Sequence, residues 1–300
     1  MKKIVIITGL TGSGKSALAL KLCKDYLGEI ISADSVQIYK GLDIGSAKAT
    51  REEMSNVSHH LIDIFDFNQT FNVSEFVSKC DDAIKEIINR GHIPFIVGGT
   101  GLYIKALIEG YNFSNAVGHE DFRKECEKVA KEKGNIYVWN MLNEINTEKA
   151  NTVHPNNLKR VIRYLEIEKF GTKEEKRESI LKDLDVLCVG IIEDRDKIYK
   201  KIDMRVDDMI NKGLEGEVKN LINSNATRDM QSMNTIGYKE WFDYFEGRIS
   251  REKTVELIKQ HSRNYCKRQL TFLKTIPNIK LLTLGKAEEK IREFLDDRDK

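Results

Sequence analysis

Three features of this 300-residue sequence predict an α/β fold, a parallel sheet with helices on both faces. β-Branched apolar runs recur and each ends in glycine or polar residues; helix-period stretches separate them; the first run opens into a glycine-rich turn. Sheets of this kind bind ligands at the carboxyl ends of their strands, so the residues just past each run are where chemistry is to be sought.

The first strand is expected at residues 4–7, followed by a helix over 16–27 with apolar positions at Leu18, Leu22 and Leu27. A second strand at 29–33 ends on Asp34, and a third at 93–97 ends in Gly98-Gly99-Thr100-Gly101, with a helix over 73–89 between them. A fourth run at 186–192 ends at Glu193-Asp194. Residues 111–185 are charged and helix-periodic without a strand candidate, which predicts a helical insertion into a core made of 1–110 and 186–300. Beyond it, helices are expected over 194–212 and 250–274, the second stopped by Pro277.

Composition narrows the class. A 40% hydrophobic content suffices for a substantial core, and 49 basic against 47 acidic residues leave any polyanionic partner to be met by local patches. Five scattered cysteines without a C-x-x-C pair argue for reduced thiols in a cytoplasmic protein and against a zinc knuckle. The apolar run near Met1 is too short for a signal peptide, and no run reaches the 18 residues that a membrane span needs.

Gly9-Leu10-Thr11-Gly12-Ser13-Gly14-Lys15-Ser16 fits G-x-x-x-x-G-K-[ST] between a strand and a helix, which makes the core P-loop NTPase-like. Glycines let successive backbone N–H groups turn inward, the helix amino terminus adds positive potential, Lys15 supplies a point charge and Ser16 can hold Mg²⁺. The motif identifies phosphates and not the molecule that bears them. On spacing alone, Asp34 suits a general base as well as a helix cap or outer-sphere partner of Mg²⁺, and Gly98-Gly99-Thr100 suits close approach of a ligand as well as a tight turn. Arg205, at the edge of the stripe Ile198, Ile202 and Met209, suits a phosphate clamp or a structural ion pair. Lys259, Arg263 and Lys267 repeat every four residues as a basic ridge, fit for a phosphate backbone or for solvent, and Lys159, Arg160 and Arg163 form a second small cluster. His59-His60 reads as a satisfied polar pair and not a metal site.

Taken in order, these pieces resemble the tRNA dimethylallyltransferase (tRNA isopentenyltransferase) family over most of the chain. The P-loop is followed by Ser32 to Lys48, the most distinctive segment, then by His59 to Asp63, Val97 to Tyr103, His154-Pro155-Asn156 with Arg160 and Arg163, Arg205-Val206, Gly213-Leu214, Glu217-Val218, Ile236 to Glu240 and Lys267 to Thr271. The sequence departs from the family pattern at Leu10, usually Pro, at Asn157, usually Asp, and at Phe272-Leu273-Lys274, usually Trp, Phe and Arg. The zinc finger that some eukaryotic members append is not seen, which makes a bacterial-type enzyme the expectation.

The resemblance implies transfer of a dimethylallyl group from dimethylallyl diphosphate to the N6 amine of the adenosine 3′ of the anticodon. Gly9, Leu10, Thr11, Gly12, Ser13, Gly14, Lys15 and Ser16 would bind the diphosphate, with Mg²⁺ on Ser16. Asp34, Thr100 and Arg205 would be catalytic: the base, an orienting hydroxyl and a clamp on the leaving group. Contacts to the tRNA anticodon stem-loop are implied at Asp34, Ser35, Val36, Gln37 and Thr100, at Arg123, Lys159, Arg160, Val161, Ile162 and Arg163 in the insertion, and at Tyr238, Lys239, Lys267, Arg268, Gln269, Thr271 and Lys274. A monomer without membrane contact is expected. Three rivals share parts of the pattern: a P-loop small-molecule kinase using Glu193-Asp194 for Mg²⁺, an isopentenyltransferase acting on free adenine nucleotides, and a phosphate-responsive RNA-binding protein without chemistry.

Overall fold

A computed structural model describes residues 2–110, 119–171 and 178–297. The apolar runs form β1 (Lys3–Gly9), β2 (Gly28–Ser32), β4 (Ile93–Val97) and β5 (Asp185–Ile191), joined by two short strands, β3 (His59–His60) and β6 (Lys280–Leu282). All pair in parallel in the order β3-β2-β4-β1-β5-β6, so the strand that feeds the glycine-rich turn lies inside the sheet between later strands. The P-loop α/β architecture expected from the sequence is the one observed. The second and fourth strands begin and end one residue earlier than expected. The two unexpected strands are the sheet's edges; a pair of histidines and a three-residue segment carry too little alternation to register as strands.

The helices of the core are α1 (Lys15–Asp25), α2 (Arg51–Asn56), α3 (Val73–Asn89) and α4 (Gly101–Glu109). Those of the insertion are α5 (Glu120–Lys133), α6 (Asn135–Ile145), α7 (Thr147–Asn151) and α8 (Leu158–Phe170). The core resumes with α9 (Arg195–Asn211), α10 (Leu214–Asn223), α11 (Lys239–Phe245), α12 (Arg251–Leu273) and α13 (Leu284–Asp296). Local chemistry sets the ends that matter most. Asn72 and Glu75 make a reciprocal capping box on α3, Asp194 accepts from the first amides of α9, and Ser250 caps α12.

The chain divides into two compact units, residues 1–109 with 179–300, and residues 110–178. In the first, Val5, Ile7, Phe95 and Val189 pack from the sheet against Leu18, Leu22 and Ile291. In the second, Val138, Leu142, Val161, Ile162 and Leu165 form a separate core. The expected start of the insertion at Tyr111 lies outside the described residues. Its end comes earlier than the expected Asp185, because Ser179 donates to the Leu107 carbonyl (2.6 Å) and caps a 3₁₀ turn at Ile180–Asp183 that packs on α4. Among the described residues no helix is long and apolar enough to cross a membrane, and all five cysteines are buried and free.

Candidate active site

The phosphate loop is shaped by two constraints. At Gly9, φ is +139° and a Cβ would lie 2.3 Å from the Ile191 carbonyl oxygen, so only glycine lets β1 pass β5 into the turn. Lys15 then reaches back and donates to the Leu10 carbonyl (2.7 Å), curling the loop around the start of α1, whose first amides receive no side-chain cap. Burial, and after it the nearby Arg205, push the Lys15 ammonium down to about 8, with Asp34 and Cys266 opposing the shift. A desolvated cation beside another cation, at an uncapped helix amino terminus, is a site that an anion stabilises.

Neighbouring strands bring Asp34 and Thr100 together. Asp34 follows β2, and its Oδ1 accepts from the Val36 and Gln37 amides (2.9 and 3.4 Å), which fixes the carboxylate in a local turn. Thr100 follows β4; its hydroxyl oxygen accepts from the Ser35 amide (3.1 Å). Arg205 reaches the same place from α9 and donates to the Ser46 carbonyl (3.4 Å). Burial lowers the Arg205 pKa, and Asp34 partly restores it.

These groups line one cavity of about 340 Å³, together with Thr11 of the phosphate loop. Ile202, Val206, Met209 and Ile258 supply apolar wall, and Lys239 and Arg268 add two cations. Tyr265 completes it: burial, and then the charge of Asp34, push its hydroxyl up to about 12, so the phenol stays a neutral hydrogen-bonding group. One wall is the segment after β2, which Glu217 organises. Its carboxylate accepts from the amides of Asp43, Ile44 and Gly45 (3.1, 2.7 and 3.1 Å) and from the hydroxyl of buried Tyr238 (2.7 Å). A cavity with a fixed carboxylate, a hydroxyl, apolar wall and cations that form no ion pair with a described residue can hold a nucleophile with a removable proton next to an anionic leaving group.

A family model described as IPP transferase matches residues 37–276, and one described as isopentenyl transferase matches residues 2–71. The chain belongs to the IPP transferase family. The tRNA dimethylallyltransferase of Bacillus anthracis is 42% identical over 304 residues, spanning 99% of this chain and 96% of its own. The tRNA isopentenylpyrophosphate transferase of Bacillus halodurans superposes with a TM-score of 0.73 at 39% identity, covering 99% of this chain and 96% of that one. A eukaryotic dimethylallyltransferase described as acting on tRNA superposes with a TM-score of 0.80 at 25% identity, covering 99% and 80%.

Within this IPP transferase, several residues expected to touch RNA turn out to be committed elsewhere. Val161 and Ile162 are core residues of the insertion, facing away from solvent because α8 turns that stripe inward. Tyr238 is fully buried against Gly45 and Glu217. Gln269 is buried, with both ends of its carboxamide hydrogen-bonded inside the core. Arg123 and Arg163 both hold the buried carboxylate of Glu166. Lys159, Arg160, Lys267, Arg268, Thr271 and Lys274 are exposed, while Ser35, Val36, Gln37 and Lys239 are half-buried. The basic ridge of α12 is also partly spent, since Lys259 pairs with Asp207 (2.6 Å) and Arg263 with Asp203 on α9.

Other expectations are reassigned by geometry. The glycines of Gly98-Gly99-Thr100-Gly101 make room for protein neighbours: a Cβ at Gly98 would meet the Ala33 carbonyl at 2.1 Å, one at Gly99 the Gln269 amide at 2.7 Å, and one at Gly101 the Phe272 ring at 2.5 Å. The acidic pair that favoured a kinase is used locally, Glu193 on Lys201 (2.9 Å) and Asp194 as a cap. His60 donates to the Glu29 carboxylate (2.7 Å), and His59 donates to the Val57 carbonyl (2.7 Å). Among the described residues no three His, Cys, Asp or Glu groups could hold a metal. Ser16 is exposed in the first turn of α1, and its single hydroxyl would be one ligand of a Mg²⁺ whose other ligands were substrate phosphates and water.

Proposed function

We propose that this IPP transferase moves a dimethylallyl group from dimethylallyl diphosphate to the N6 amine of the adenosine 3′-adjacent to the anticodon in tRNA, releasing diphosphate. Family membership supports a prenyl-transferring enzyme, and the names of the 42%-identical relatives support tRNA as the acceptor. The observation that carries the chemistry is the single cavity shared by Asp34, Thr100, Arg205 and Thr11.

In this reading the amides of Gly12, Gly14 and the first turn of α1, with Lys15 and Arg205, take the diphosphate and stabilise the charge that grows on it as its bond to the allylic carbon breaks, while the Leu10, Thr11 and Ser13 amides bond to protein acceptors and hold the loop in shape. The adenine N6 attacks that carbon, forming the new C–N bond, and its proton passes to the Asp34 carboxylate. Thr100 and Tyr265 orient the amine, and the apolar wall shields the allylic carbon from water. Ser16 would hold Mg²⁺, which when bound neutralises phosphate charge. Because the amine of a stacked base is out of reach of a cavity, the adenosine must be extruded from the anticodon loop.

Radiolabelled dimethylallyl diphosphate offered with an anticodon stem-loop, with AMP, or alone tests the proposal. Label is expected in the stem-loop only. Transfer to AMP but not to the stem-loop would replace the RNA substrate by a free nucleotide. Absence of transfer, with protection of the phosphate loop by ATP and not by dimethylallyl diphosphate, would restore the kinase.

A further inference from the structure

Gln269 sits on the buried stripe of α12, three residues after Cys266 and four before Leu273. Its Oε1 accepts from both the amide and the hydroxyl of Thr11 (2.9 and 3.1 Å), and its Nε2 donates to the Gly99 carbonyl (3.0 Å). The direction of the amide is set by its partners, because flipping it would put N–H against N–H and oxygen against oxygen. One side chain thus joins the diphosphate loop to the loop that carries Thr100, whose hydroxyl in turn receives the Ser35 amide next to Asp34. Gly99 has no side chain where the carboxamide passes. Only 6% of Gln269 is exposed, which leaves little of it for an RNA backbone.

From this geometry we infer that Gln269 is a positioning residue, the strut that sets the spacing between the departing diphosphate and the attacking amine, and not a contact to RNA. The inference rests on the prenyl-transfer reading above. The two loops leave neighbouring strands, β1 and β4, whose pairing ends at Ile7 and Val97 with the Gly98 amide on the Ile7 carbonyl; past that point Gln269 carries the connection on to Thr11 and Gly99. A misplacement of reacting groups by about 1 Å costs roughly 10²-fold in rate. Glutamine suits the task because it accepts on one side and donates on the other. Asparagine, one methylene shorter, cannot reach both loops, and glutamate would set a carboxylate against the Gly99 carbonyl.

The test uses the full-length enzyme and its Gln269→Asn and Gln269→Glu variants, with Thr11→Val and the Thr11→Val/Gln269→Asn double variant. Single-turnover transfer is measured at saturating donor and stem-loop, and stem-loop affinity across a salt series. Expected is a 10- to 100-fold loss of rate in both Gln269 variants, stem-loop affinity and salt slope within twofold of wild type, and a double variant no slower than Gln269→Asn alone. Lowered stem-loop affinity with an unchanged saturating rate would make Gln269 an RNA contact and overturn the inference. So would a lower melting temperature with wild-type turnover per folded molecule, or rate losses in the double variant that simply multiply. Should the Gln269 variants fail to fold, Gly99→Ala decides, because its Cβ would lie 2.7 Å from the Gln269 amide nitrogen and push the carboxamide off its partners: an unchanged saturating rate overturns the inference, and a slower one at unaltered stem-loop affinity upholds it. A wild-type enzyme that transfers nothing would remove the functional reading and this inference together, whereas variants indistinguishable from an active wild type would remove this inference alone.

Discussion

Two pairs of cations, one in each unit, are held in opposite ways. In the core, Lys15 and Arg205 donate to backbone carbonyls, and neither forms an ion pair with a described residue. In the insertion, Arg123 and Arg163 both grip Glu166, a carboxylate with no exposed surface. A carbonyl satisfies a donor and leaves its charge in place; a carboxylate cancels it. At 4 Å and an effective dielectric of about 20, one uncancelled charge is worth roughly 4 kcal/mol to an arriving anion. The core cations are therefore available to a diphosphate, and the insertion cations hold the fold. Glu166 carries the mark of the second arrangement: burial acts to raise its pKa, yet hydrogen bonds from Arg123, Arg163 and the His119 amide keep it below the usual carboxylate range.

The sharpest way to break this contrast is to remove a core cation. Arg205→Ala is expected to cost roughly 10²–10³ in single-turnover rate at saturating stem-loop, the size seen when one preorganised group facing developing charge is lost. Asp34→Asn, which keeps shape and loses the base, is expected to cost roughly 10² with normal stem-loop binding. Either variant at wild-type turnover would strike the corresponding residue from the chemistry.

The mirror experiment in the insertion should leave chemistry alone and damage stability. Glu166→Gln strands two guanidinium groups that keep some access to water, so about 2 kcal/mol is expected, the scale of a hydrogen bond to a charged group. Trp139, whose indole donates to the Ala150 and Val153 carbonyls, reports on this unit, and in a Trp241→Phe background it is the sole tryptophan. A fluorescence melt unchanged by Glu166→Gln would mean the cluster is ornamental.

Part of this was legible in the sequence and part could not be. The phosphate loop and the two strand ends are local objects, so motif and apolar run found them and parallel pairing of β2 with β4 placed Asp34 near Thr100. Gln269 bonds across 258 residues to Thr11, and Glu217 across 174 to Asp43, with nothing in either neighbourhood to name the partner. The position of Gln269 on an otherwise buried helical stripe was the available signal. Charge was visible and its commitment was not: Arg123, Lys259 and Arg263 read as free cations until carboxylates from other helices meet them, and Arg163 until Glu166, one turn along its own helix, is seen to be buried.

The pH dependence follows from Lys15. Burial and Arg205 bring its pKa to about 8 in the free enzyme, and a bound diphosphate favours the protonated form. Donor kcat/KM should then be flat below that value and fall by up to about tenfold per unit above it, because kcat/KM reports groups of the free enzyme. Lys15→Arg, which stays charged, should abolish the fall.

The smallest effects, and the finest test of the contrast, concern RNA. Lys159 and Arg160 lie in the same helix as Arg163, and all three are basic, so a reading of charge alone gives them equal roles. Their surroundings differ: Lys159 and Arg160 are exposed, with Arg160 engaged among the described residues only by the Tyr164 hydroxyl and ring, while Arg163 is on Glu166. A cation already paired with a carboxylate displaces no counterion from a phosphate unless it first leaves that partner. Each phosphate neutralised on a single strand contributes about 0.7 to the slope of log affinity against log salt. Lys159→Ala/Arg160→Ala should therefore lower the slope for the stem-loop by up to about 1.4, and Arg163→Ala by little, with its cost appearing in the Trp139 melt instead. Binding titrations at four salt concentrations separate the two. Equal slope losses per residue would show that Arg163 trades Glu166 for phosphate when RNA binds, and the division between binding and structural cations would then hold only for the free enzyme.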